Sequence, residues 1–109
     1  MIALEQLSQL AEIESKSQTD TIAIFKHSTS CGISRMMLKS FQNELSGKID
    51  FKADNIYILD LLRYREISNA IAQKWHIQHE SPQLLVIRKG AVIHHSSHSS
   101  ISAEALSES

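Results

Sequence analysis

The sequence predicts an α/β domain built on a four-stranded mixed sheet with helices on both faces. Three observations carry that expectation. Short apolar runs at 21–25 and 56–62 alternate with segments of helical period. Both runs are continuous rather than alternating, which suits strands buried on two faces. Two further runs, 84–87 and 91–94, are separated only by Arg88-Lys89-Gly90, a hairpin with glycine in its turn.

Taken in order, Leu4, Leu7, Leu10 and Ala11 recur at helical spacing and predict an opening helix over 3–14. The polar stretch 15–20 ends it, and 22–25 form the first central strand. From Cys31 onward, Ile33, Met36, Met37, Phe41 and Leu45 mark one helical face, with Ser30 as the expected N-cap and Gly47 as the stop. Position N3 is then Ile33, so no reciprocal capping box forms. A second strand at 56–62 precedes Ile67, Ala70, Ile71 and Trp75, which again repeat at helical spacing. After the hairpin, Ser100 is expected to cap a short last helix through Leu106, with Glu104 in its early turns. The Met36-Met37 pair and Trp75 read as core; Arg63, Arg65 and Lys74 read as a solvated face. The order is α-β-α-β-α-β-β-α. A strand, crossover helix and strand make a right-handed parallel unit, and the hairpin adds antiparallel edges.

The whole chain narrows the function. Its 109 residues suit one domain, 1–109, with a real core. Hydrophobic residues make up 42% and charged residues 21%, a globular rather than disordered balance. A formal charge of −1 gives no electrostatic case for nucleic acid or an anionic membrane surface. No apolar run approaches the roughly 20 residues that span a bilayer. The opening residues lack the basic-then-apolar pattern of an export signal, and there is one cysteine, so a reducing cytoplasm is the expected setting. No linker, repeat or low-complexity domain is visible, and the serine-rich end reads as a frayed tail.

That cysteine, Cys31, stands between a buried strand and the first turn of a helix, where free N–H groups and the helix dipole stabilise an anion. The thiolate is the nucleophile, so the placement favours reactivity. Three residues on, where many redox proteins carry a second cysteine, stands Ser34. An intramolecular disulfide is therefore excluded, and thiol–disulfide exchange here is monothiol. Ser34 either donates a hydrogen bond to the Cys31 thiolate or is a surface serine. Lys26 and His27 either stabilise the thiolate and an anionic thiol or are ordinary strand-end polar residues. His79 flanks the same region, Arg35 reads as solvated, and Glu80 takes no role. Pro82, the only proline, stands at the head of a strand, where a missing N–H does least harm. No metal is expected: neither His94, His95 and His98 nor Cys31 with His27 and His79 has ligand spacing. His94 and His95 point to opposite faces of a strand.

The element order and the position of the cysteine give a thioredoxin-like architecture. With the string from Lys26 to Ser34, Lys-His-Ser-Thr-Ser-Cys-Gly-Ile-Ser, and the string His79-Glu80-Ser81-Pro82-Gln83, the chain resembles the bacillithiol-system YtxJ family, the monothiol bacilliredoxins. The resemblance runs from the first strand to Ser96-Ser97-His98. One position departs: proline most often follows the family's cysteine, and here it is Gly32. The resemblance implies a thioredoxin fold whose single cysteine removes bacillithiol from mixed disulfides on proteins. Cys31 would be the nucleophile, Ser34 would replace the resolving cysteine, and Pro82 would be a cis-proline facing it. Lys26, His27, Thr29, Ser30, Gly32, Ser81 and Pro82 would contact the substrate. The implied partners are S-thiolated client proteins and a small thiol, bacillithiol as co-substrate, with no bound cofactor and a monomer or weak dimer. Two alternatives stand beside this. Cys31-Gly32-Ile33-Ser34 is similar to the signature of monothiol glutaredoxins, in which two protomers and two glutathiones hold an iron–sulfur cluster. Against it, the cis-proline motif Thr-Val-Pro and a later glycine pair are missing. The other is a redox sensor in which Cys31 is modified without turnover.

Overall fold

The strand Ile22–His27 is buried along its whole length, and the sheet is built around it. The computed structural model describes residues 1–48 and 51–107. Five strands, β1 (Ile2–Ala3), β2 (Ile22–His27), β3 (Ile56–Asp60), β4 (Gln83–Arg88) and β5 (Ala91–Ser97), lie in the order β1-β3-β2-β4-β5. β1 and β2 flank β3 in parallel, while β4 runs antiparallel to β2 and to β5. The helices are α1 (Ser8–Lys16), α2 (Gly32–Lys48), α3 (Arg65–Trp75) and α4 (Glu104–Ser107), with 3₁₀ turns at Ala53–Asn55 and His98–Ser100.

The sheet thus has five strands where the sequence predicts four, because the first residues pair rather than coil. Ile2 and Ala3 register with Tyr57 and Ile58, and the Leu4 N–H extends the ladder to the Ile58 carbonyl. The expected helix over 3–14 is displaced to Ser8–Lys16. Gln9 holds the turn between them: its Oε1 accepts from the N–H groups of Glu5 and Gln6, and its Nε2 donates to the Ala3 carbonyl. Leu10 and Ile13 then face the core, while Leu7 is exposed.

Alternation along the strands divides the interior into two clusters. Ile22, Ile24, Tyr57, Leu59, Leu85 and Ile87 pack against α1 and α3, with Trp75 at the far end of α3. Ala23, Phe25, Ile56, Leu84 and Val86 pack against Phe41 of α2 and Leu106 of α4. Phe25 and Phe41 meet at 5.2 Å between ring centroids.

Five local expectations need correction. The inward stripe of α2 is Ser34, Met37, Leu38, Phe41 and Leu45, whereas Ile33 and Met36 stand 60% and 65% exposed. The cap of α2 is Cys31 rather than Ser30, because the Cys31 carbonyl accepts the first helical bond, from the Arg35 N–H. Gly47 lies inside α2 and does not stop it. At the last helix, Ser102 rather than Ser100 accepts the Glu104 N–H, and Glu44 of α2 takes the Ser102 hydroxyl and the Ala103 N–H. The second central strand also ends at Asp60, short of Leu62. Arg63 precedes α3, and Lys74 pairs with Glu14 at 3.0 Å on the surface.

The hairpin forms as predicted, with a two-residue turn at Lys89 and Gly90. Both have positive φ, 53° and 75°, the backbone of a turn that follows the strand twist. The tip is fastened from outside: Ser17 accepts from the Lys89 N–H through its carbonyl and from the Gly90 N–H through its hydroxyl. The Trp75 indole donates to the Gly90 carbonyl at 3.1 Å.

Candidate active site

Cys31 sits where β2 hands over to α2. Its N–H donates to the Ser28 carbonyl at 3.2 Å, and its carbonyl receives the Arg35 N–H at 3.1 Å. The thiol is free and half-buried at the start of a helix of 17 residues. The N–H groups of that first turn have no partner within the helix, and the helix dipole is positive there. Gly32, the first helical residue, is exposed, and an added Cβ would meet nothing within 4 Å.

Ser34 is not a surface serine. It is fully buried, and its Oγ accepts the Ser28 N–H at 2.9 Å. That bond ties the end of β2 to α2 and fixes the loop that carries Cys31. The hydroxyl proton stays available for donation, since accepting a bond does not consume it. Thr29 and Ser30 are exposed, and Ser30 Oγ lies 3.1 Å from Ser28 Oγ.

The Ser81–Pro82 peptide bond is cis. Gln83 registers with Lys26, so Pro82 stands at the next rung, beside His27 at the end of β2. The Pro82 carbonyl accepts the His98 N–H at 3.0 Å. Ser81 is half-buried. Cys31, Ser34, Lys26, His27, Ser81 and Pro82 therefore gather at one end of the central strands.

Lys26 and His27 are both buried, on opposite sides of β2. Lys26 reaches into the α3 layer, 3.2 Å from the Ser68 carbonyl and 3.3 Å from His79 Nδ1. Burial pulls its ammonium down from the usual 10.5 to about 8. His79 is lowered by burial first, then by Lys26 and Arg65. His27 registers with Asp60 across the β2–β3 ladder. Burial lowers the His27 imidazole, and Asp60 opposes that. His27 Nδ1 and Asp60 Oδ1 are both buried without a hydrogen-bond partner.

Sequence reasoning missed Asp60, Ser68 and Gln83 at this end of the sheet. The available signal was polarity against pattern: Asp60 closes an apolar strand and Gln83 opens one. Among the described residues no group of three His, Cys, Asp or Glu side chains could hold a metal ion. His94 and His95 lie exposed on β5.

A family model described as monothiol bacilliredoxin BrxC matches residues 2–106. The chain belongs to the monothiol bacilliredoxin family. Solved structures agree on the fold. A solved protein described as having a thioredoxin fold superposes with a TM-score of 0.81 at 26% identity, covering 98% of this chain and 90% of that one. Thioredoxin from Fasciola hepatica gives 0.68 at 14% identity, covering 99% and 94%. Thioredoxin from Schistosoma mansoni gives 0.69 at 18% identity, covering 98% and 89%. The bacilliredoxin family and the thioredoxin-like fold together point to thiol-based redox function, and the chain's only cysteine is Cys31. No helix of the described residues is long and apolar enough to cross a membrane.

Proposed function

We propose that this bacilliredoxin is a monothiol thiol–disulfide oxidoreductase that removes bacillithiol, or a similar small thiol, from mixed disulfides on proteins. One observation carries the reading: a single half-buried cysteine caps the long helix that follows β2, the strand whose end pairs with the cis-proline rung, with a serine where a resolving thiol would stand. In the first step the Cys31 thiolate attacks the small-thiol sulfur of a client disulfide. The client S–S bond breaks, a Cys31–small-thiol disulfide forms, and the client leaves as a thiolate that takes a proton. In the second step a free small-thiol thiolate attacks that disulfide. It leaves as the symmetric disulfide, and the Cys31 thiolate returns. No bound cofactor takes part, and the setting is a reducing cytoplasm.

Ser34 holds the loop through Ser28 and has a proton to offer the Cys31 sulfur. Thr29, Ser30 and Gly32 border the entering disulfide, and the Ser81 backbone offers it main-chain hydrogen bonds. The test is a release assay on a bacillithiolated model protein, with bacillithiol or glutathione as the second thiol. Release that requires Cys31, with uptake of one small-thiol mass, is expected. Cys31→Ser should abolish both; retained uptake in that variant would remove Cys31 from the mechanism.

A further inference from the structure

A cavity of about 270 Å³ opens at the end of the sheet remote from Cys31. Thr21, which lines it, directly precedes β2, and six rises of about 3.3 Å put His27 about 20 Å away at the other end of that strand. Pockets for drug-sized ligands begin near about 300 Å³, so this space suits a smaller molecule.

Asn55 distinguishes the cavity from a solvated cluster of charges. It closes the 3₁₀ turn ahead of β3 and lines the cavity, yet it is only 8% exposed. Its backbone N–H donates to the Lys52 carbonyl at 3.0 Å. Its side-chain amide, with two donors and an acceptor, has no hydrogen-bond partner among the described residues. A buried amide is ordinarily satisfied by protein, by ordered water or by a ligand.

The other walls are charged on one side and apolar on the other. Arg88, the half-buried last residue of β4, directs one of its five N–H donors to the Thr21 hydroxyl at 3.1 Å. Among the described residues neither Arg88 nor the exposed Lys52 forms an ion pair. Asp20 adds a carboxylate, so two cations and one anion leave the lining with an excess of positive charge. Phe51 and Leu106 supply an apolar wall continuous with the cluster under α2.

We propose that this cavity binds a small hydroxylated oxyanion, a sugar acid or a sugar phosphate. The Arg88 fork and the Lys52 ammonium take the carboxylate or phosphate group. Ligand hydroxyls donate to the Asp20 carboxylate and pair with both ends of the Asn55 amide, while the carbon face lies on Phe51 and Leu106. A bare anion would leave the Asn55 carbonyl unpaired and meet Asp20 as a like charge. A neutral sugar would leave both cations without a counter-charge. Only a molecule with both features matches the whole lining, and Cys31 takes no part in holding it.

The test titrates the isotope-labelled protein, in buffer free of phosphate and carboxylate, with gluconate, ribose 5-phosphate, inorganic phosphate and ribose. Gluconate or ribose 5-phosphate should shift the amide resonances of Thr21, Asn55 and Arg88 saturably. Its Kd should lie at least about tenfold below those of inorganic phosphate and ribose, and the tighter of the two names the acid group. Arg88→Gln should raise that Kd at least about tenfold, the size of one charge-assisted hydrogen bond, and Asn55→Ala about fivefold. Cys31→Ser should bind as the wild-type protein does, so the site stands or falls separately from the thiol–disulfide reading. Absence of a saturable shift with both sugar derivatives would overturn the proposal. So would inorganic phosphate binding as tightly as ribose 5-phosphate and gluconate, which would reduce the cavity to an adventitious anion site only. Should Arg88→Gln or Asn55→Ala not fold, an unchanged Kd in the exposed substitution Lys52→Gln overturns it.

Discussion

Substituting Lys26 by methionine should change how stability depends on pH. The native chain holds this lysine at about 8 against the ordinary 10.5. The unfolded chain therefore binds more protons between those values, and stability rises with pH across that window. Below pH 8 the whole penalty is present. At about 1.4 kcal/mol for each pH unit, the gap amounts to about 3 kcal/mol. Methionine has similar length and no charge to bury, so Lys26→Met escapes this penalty. Two hydrogen bonds are lost with the ammonium, at about 1 kcal/mol each. Ser68 Oγ still reaches His79 Nδ1 at 3.2 Å, so the imidazole is not stranded. The lost bonds do not vary with pH, which makes the slope the clean readout. Urea unfolding at pH 7.5 and pH 10 should show the wild-type protein gaining about 2 kcal/mol relative to Lys26→Met. Tyr57, raised by burial and then by Glu12, titrates in the opposite sense at higher pH but is common to both proteins. Parallel profiles would refute the reasoning, because they would mean that Lys26 is either solvated or paired in the native state.

Further outcomes follow from single contacts. Ser34→Ala should cost about 1–3 kcal/mol by leaving the buried Ser28 N–H without an acceptor, read as a lower urea midpoint. Ser34→Cys should let the protein form an internal disulfide, seen by mass spectrometry as the loss of two hydrogens on oxidation; absence of that loss would count against the helical placement of the pair. Gly90→Ala should cost about 1–2 kcal/mol, because φ is +75° and the new Cβ meets Gln18 at 3.4 Å. Calorimetry should record that as a Tm lower by roughly 5–10 °C.

The central strands, the hairpin and the cysteine's place at a helix start were legible because each is a local pattern. Continuous apolar residues at 22–25 can be satisfied only by burial on both faces, and Gly90 marks its turn by backbone freedom. β1 was not legible. Two residues carry no period, and their partners Tyr57 and Ile58 lie beyond the middle of the chain. The face of α2 was misread for a different reason. Ile33 and Met36 keep helical spacing with Phe41, yet the helix turns them outward beside Cys31 and buries Ser34 instead. Hydrophobic spacing alone cannot separate an inward stripe from an exposed apolar patch beside a reactive group. Lys26 follows the same logic in reverse. As the fifth residue of β2 it reads as a strand-end charge, and only the packing of α3 over it, through Ser68, makes it interior.

Gly32 is glycine by choice rather than by need, since open space surrounds the position and a bulkier residue would fit. Proline is well suited to the first helical position and would stiffen the turn, but it carries no amide hydrogen. Retaining glycine keeps that hydrogen on the rim where sulfur charge develops during exchange, in return for a more pliant entrance. The neighbour of the thiol can therefore tune how firmly a leaving sulfur is held, with the architecture indifferent to the outcome.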